Sequence, residues 1–163
     1  AAGSLAVAAL SSNHLVVLHD QRILVLAQTD SPEAMGFAVR QGAHFPYRAD
    51  RVSARVLAAF QEPRERERLI ADMRRNDPRP PPVAALARNV AAIRRRGYEE
   101  RVSDTLPGIV DICFPILDAS GHAVATLTQP YLRQPEVAMP VDAARAAHAK
   151  AVRDISRELG APL

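Results

Sequence analysis

Apolar positions recur along this chain in two periods, and the changes of period outline its elements. His14–Asp20 (HLVVLHD) and Ile23–Thr29 (ILVLAQT) are short aliphatic runs that predict two strands, joined tightly through Asp20-Gln21-Arg22. The second run is apolar on both faces, as expected of a central strand covered on each side. Ser31-Pro32 breaks the pattern, and Phe37–Arg40 reads as a third strand ending at Gly42. From Asp50 to Phe60 the spacing becomes helical: Val52, Val56, Ala59 and Phe60 share one face, and Asp50 is the expected N-cap. Pro63 suits the first turn of a second helix, with Leu69, Ile70 and Met73 as its buried side. The stiff segment Asn76 to Pro82 leads into a third stripe of Val83, Leu86, Val90 and Ile93, closed by Gly97. Ile109–Leu117 and His122–Leu132 are the clearest strands, with Asp118-Ala119-Ser120-Gly121 as the hairpin turn. Asp142 to Leu159 is a long amphipathic helix stopped by Gly160. Its expected buried face carries Val141, Ala144, His148, Val152, Ile155 and Leu159. Ser4–Leu10 is Ala-rich and long enough only to end a helix. Strands, helices, strands, helix: this order predicts an α+β fold, an antiparallel sheet with helices on its faces.

Composition narrows the picture. At 163 residues and 48% apolar, the chain has the size of one domain and needs neither disulfide nor metal to fold. It contains no apolar run of about 18 residues, so no membrane partner is expected. Cys113 is the lone cysteine, which suits a reducing, cytoplasmic location. Basic residues number 21 against 18 acidic ones, and only Lys150 is lysine. A net +3 is a weak basis for nucleic-acid binding by this chain. The runs Arg64–Arg68 and Arg94–Arg96 read as solvated helix faces, the latter complementing a helix C-terminus. The chain starts at Ala1 without Met, and a portion upstream of it is expected. His14, His19, His44, His122 and His148 are scattered, so no metal is expected. No nucleophile elbow, P-loop or dinucleotide fingerprint points to an enzyme or a cofactor.

The last hairpin holds the candidate chemistry. Setting Leu117 opposite His122 pairs Pro115 with Val124, Cys113 with Thr126 and Asp111 with Thr128. Those residues share one face, while Val110, Ile112, Phe114, Ile116, Ala125 and Leu127 form an unbroken apolar face opposite. A carboxylate, two hydroxyls and a thiol on a sheet must be exposed, paired or lining a wet cavity. Register alone leaves an open face and a pocket floor both standing, and a bulge near Gly121 would shift the pairing.

Several segments in order carry a family resemblance. Gly42-Ala43-His44-Phe45-Pro46-Tyr47-Arg48-Ala49-Asp50 leads into a helix, then come Gly97-Tyr98, Leu106-Pro107-Gly108-Ile109-Val110-Asp111-Ile112-Cys113-Phe114-Pro115-Ile116, and Asp118-Ala119-Ser120-Gly121. Together with the opening hairpin, from about Ser4 to Gly160, they resemble the effector-binding domain of IclR-family transcription regulators. The resemblance implies a GAF-like antiparallel sheet with helices packed on both faces and a ligand cavity on one of them. It implies pocket positions at Asp104, Asp111, Thr126 and Thr128, and Cys113 and Arg51 join them as effector-contact candidates. Where many members carry a T-A-x-G-K-like segment, this chain has Asp50-Arg51-Val52-Ser53-Ala54, which keeps a helix start but changes its contacts. The expected protein is therefore a single effector-binding domain over residues 1–163, without the family's winged helix-turn-helix. It would bind a small organic effector, hydroxylated or carboxylated, and form a homodimer or homotetramer. DNA would be reached only through the missing N-terminal domain. The alternative is a free-standing GAF-like sensor attached to another output.

Overall fold

A computed structural model describes residues 12–30, 39–103, 106–132 and 139–162. β1 (Asn13–His19) and β2 (Arg22–Thr29) form the expected hairpin. Asp20 and Gln21 at its tip both have positive φ, 47° and 58°, which is the turn geometry that matches strand twist. The third strand, β3 (His44–Pro46), lies later than expected and pairs with β2. Val39 and Arg40 belong to no strand, and Phe37 and Ala38 lie outside the described residues.

Three helices follow: α1 (Val52–Ala59), α2 (Pro63–Arg75) and α3 (Val83–Arg96). Pro63 opens α2 as expected, since proline has no N–H to lose there. Gly97, at φ 91°, closes α3 in the left-handed conformation that a Cβ would disfavour. β4 (Glu99–Val102), β5 (Ile109–Leu117), β6 (Ala123–Leu132) and α4 (Val141–Glu158) complete the described elements.

The six strands make one antiparallel sheet in the order β3-β2-β1-β6-β5-β4. One face is covered by α1, α2 and α3, whose Val56, Leu57, Leu69, Met73 and Val90 pack with Val16, Ile23 and Cys113 of the sheet. The other face carries α4, packed on Ile112, Ile116, Ala125 and Leu127. Ile112, Ile116 and Leu127 are nearly fully buried, each contributing about 1.5–3 kcal/mol. Two polar anchors fix α4: His148 Nε2 donates to the Leu127 carbonyl at 2.9 Å, and Ser156 Oγ accepts from the Leu117 amide at 3.0 Å. The architecture is the GAF-like α+β sheet with helices on both faces that the sequence predicts.

The β5–β6 pairing corrects the predicted register. Asp111 faces Pro130, Cys113 faces Thr128 and Pro115 faces Thr126, two residues beyond the simple alignment. One step arises because Leu117 pairs with Ala123 across a longer turn, the other from a bulge that leaves Val124 without a partner. Because side chains alternate with period two, a slip of two changes the partners but not the faces. Asp111, Cys113, Thr126 and Thr128 thus stay on one side, now beneath α1.

Candidate functional site

Cross-strand register lays two polar rows over the face that α1 covers. His14, Thr128, Cys113 and Glu99 run across β1, β6, β5 and β4, and beside them run Pro130, Asp111 and Arg101. Above these rows, between sheet and helix, lies a cavity of about 140 Å³. That is roughly ten times the space one water needs. The sheet contributes His14, Val16, Ile23, Asp111, Thr128 and Pro130 to its wall. Asp50 and the first turns of α1 supply the roof through Arg51, Val52, Ser53 and Arg55, and Phe45, Arg101, Ser103 and Leu106 also line it.

The candidate residues divide by position. Asp111, Thr128 and Arg51 line the cavity. Cys113 and Thr126 lie on the same sheet face but are 0% exposed and outside the wall. Thr128 Oγ1 donates to Cys113 Sγ at 3.2 Å, and burial pushes the Cys113 thiol up to about 12, so it is a protonated packing group. Asp104 lies outside the described residues.

Asp50 does not cap α1. Arg51 occupies the N-cap position and no side chain caps the helix. The Asp50 carboxylate is instead held by Arg48, whose Nε donates at 3.2 Å and whose Nη2 pairs with the other oxygen. Burial works against the Asp50 charge, but the Arg48 hydrogen bond and the Arg51 charge outweigh it and hold its pKa below the usual range. Arg51 lies over the Phe45 ring at 5.2 Å, its Nε 3.8 Å from Asp50 and without a hydrogen-bond partner among the described residues.

His14, Ser53, Arg55 and Arg101 are polar wall residues that lie outside the site expected from the sequence. Arg55 is 2% exposed, and its Nε donates to both Glu99 oxygens, at 3.1 and 3.0 Å. Its Nη1 donates to the Ala49 carbonyl, while Nη2 has no partner among the described residues. The only available hint is a charge interrupting the small, apolar helix VSARVLAA. His14 is neutral in this setting, since burial and then the nearby His148 lower its pKa to about 4. The wall thus offers guanidinium donors at the α1 end and oxygen acceptors at the β5–β6 end. Among the described residues, no cluster of three or more His, Cys, Asp or Glu could hold a metal.

Known proteins share the sequence family and the fold of this chain. Residues 4–158 match the sequence family described as "Bacterial transcriptional regulator IclR C-terminal". The HTH-type transcriptional regulator BhcR of Paracoccus denitrificans is 28% identical over 151 residues, covering 90% of this chain and 52% of that protein. The chain therefore spans about half the length of the curated relative it matches. An IclR-family regulator from Rhodococcus sp. superposes with a TM-score of 0.82 at 21% identity, over 96% of this chain and 60% of the other. The C-terminal domain of the E. coli transcriptional regulator KdgR superposes at 0.70 with 23% identity, over 91% and 87%. At such identities the superpositions speak for the fold.

Proposed function

The chain belongs to the family of IclR C-terminal domains of bacterial transcriptional regulators, and from that premise we propose that it is the effector-sensing domain of such a regulator. The observation that supports this most is the cavity between α1 and the sheet, with Asp111 and Thr128 in its wall. A small organic molecule with hydroxyl or carboxyl groups fits a space of this size and polarity. The family and the curated relative are transcriptional regulators, and we assign this domain a sensing rather than a catalytic role.

Sensing here is a shift of populations. An effector that binds one arrangement of the regulator more tightly favours that arrangement by its differential affinity. The DNA-reading part, a homodimeric or homotetrameric assembly and a cytoplasmic setting belong to this proposal. No helix among the described residues is long and apolar enough to cross a membrane.

The experiment is a thermal-shift screen of small hydroxylated and carboxylated metabolites on this domain and on an Asp111→Asn/Thr128→Val variant. A saturating effector at 100 times its Kd adds about 2.7 kcal/mol. For a domain of this size that is roughly 5–10 °C in Tm. The double variant should keep its unliganded fold and lose the shift. An undiminished shift in the variant would remove these two residues from the site, and a native chain that no metabolite stabilises would remove the sensing role.

A further inference from the structure

Two guanidinium groups at the α1 end of the cavity each keep a buried donor that has no hydrogen-bond partner among the described residues. A guanidinium carries five N–H donors in a fixed fork. Arg55 commits Nε to Glu99 and Nη1 to the Ala49 carbonyl, which holds its plane in place and leaves Nη2 over. Arg51 keeps Nε over. A buried charged donor without an acceptor is costly, so native proteins rarely leave one without a water or ligand. Here two occur four residues apart, one at the N-cap of α1 and one within it, both in residues that line one cavity.

The neighbouring acids do not account for them. Glu99 is already shared with Arg55 Nε, and Asp50, hydrogen-bonded by Arg48, lies 3.8 Å from Arg51 Nε, an ion pair beyond hydrogen-bond reach. Asp111 stands opposite Arg101 in the β4–β5 register. Counting the described wall residues together with their ion-pair partners, Arg48, Arg51, Arg55 and Arg101 stand against Asp50, Glu99 and Asp111 beside a neutral His14, an excess of one positive charge. At the other end the demand is reversed. Thr128 Oγ1 gives its proton to Cys113, so toward the cavity it can only accept, as can the Asp111 carboxylate.

Resting on the effector-sensing reading, we infer that the effector is a small hydroxycarboxylate. Its carboxylate lies against Arg55 Nη2 and Arg51 Nε, and its hydroxyl donates to Thr128 or Asp111. Arg55 is then the residue that selects an acid over its neutral analogue, because an amide brings no charge and turns one acceptor into a donor. The volume admits on the order of ten non-hydrogen atoms.

Two matched pairs of probes test this: lactate with lactamide, and 3-hydroxybutyrate with 3-hydroxybutyramide. Each is titrated calorimetrically and by thermal shift at constant ionic strength. Both acids should bind and stabilise the native chain, and both amides should not. Arg55→Lys keeps a cation for Glu99 but lacks the third arm, and should weaken acid binding on the order of tenfold to a hundredfold. Arg51→Gln, on a partly exposed side chain, should weaken it about tenfold and carries the test alone if Arg55→Lys does not fold. Equal binding of acids and amides would overturn the anionic effector while leaving the cavity as a sensor site. Unweakened acid binding in both variants would overturn the arginine assignment. Silence from all four probes, in a protein that other metabolites stabilise through Asp111 and Thr128, would overturn the hydroxycarboxylate class. Silence there and in the metabolite screen would overturn the sensing reading itself.

Discussion

Removing Glu99 should be among the most damaging single changes in this domain, although its strand lies at the edge of the sheet. The Arg55 and Glu99 side chains are 2% and 5% exposed, and the guanidinium Nε reaches both carboxylate oxygens. In Glu99→Ala the guanidinium stays buried with only the Ala49 carbonyl as acceptor among its present partners. Breaking a buried pair from one side costs about 3–5 kcal/mol, because the surviving charge keeps its desolvation penalty. In a domain of this size each kcal/mol moves Tm by about 2–4 °C, so Glu99→Ala should melt roughly 6–20 °C lower. Circular dichroism melts at pH 7.5 measure this directly. Replacing both partners, Arg55→Met with Glu99→Leu, removes charge and penalty together and should recover most of the loss. Lys150→Ala breaks an exposed pair with Asp154 and serves as the control, with a change of about 2 °C at most. A Glu99→Ala melt no lower than the Lys150→Ala melt would refute the buried pair, as would a double replacement no better than the single one.

Two further outcomes follow from buried titratable groups. Cys113 should resist a thiol reagent at pH 8 in the folded protein and react fully in denaturant, since burial pushes its pKa up to about 12 and its exposure is 0%; rapid stoichiometric labelling of the native chain would contradict its place under α1. His148 should make the domain acid-sensitive. Burial lowers its folded pKa to about 4, against an ordinary 6.5, so above 6.5 it is neutral in both states and costs nothing. As pH falls from 6.5 toward 4 the unfolded chain takes up a proton that the folded chain refuses, and stability falls. At pH 5 the loss is about 2 kcal/mol from this side chain. Denaturant melts at pH 7.5 and 5 should therefore converge in His148→Gln relative to the native chain, and an equal acid loss in both would clear His148 of the effect.

Legibility in the sequence tracked how local each feature is. The opening hairpin, the α2 and α3 stripes, the Gly97 stop and the final helix all rest on periodicity within a dozen residues, and all appear within a residue or two of expectation. The two edge strands did not stand out. β3 is three residues long and β4 reads Glu-Glu-Arg-Val, so neither offers an alternation to detect. Leu159 was placed on a buried face but is 48% exposed, because α4 ends at Glu158 and the face ends with it. Val83, the first residue of α3, is likewise 55% exposed.

The cavity shows the same division. Its floor was readable because alternation along β5 and β6 assigns faces whatever the register, and a two-residue slip keeps Asp111 and Thr128 on one face while giving each a new cross-strand partner. Its roof was not, because what Arg55 touches is decided 44 residues away at Glu99, on a strand with no signature. A lone arginine in VSARVLAA reads equally well as a solvated helix position, and only the packing of α1 flat onto the sheet turns it inward. Asp50 makes the converse point. Local chemistry favours it as a helix cap, but Arg48, two residues back, offers a charge-assisted hydrogen bond and takes the carboxylate away. The first turn of α1 is thereby left without a side-chain cap where it borders the cavity. Helix N-termini favour negative charge, and the two unspent guanidinium donors point to the same sign of ligand at the same end.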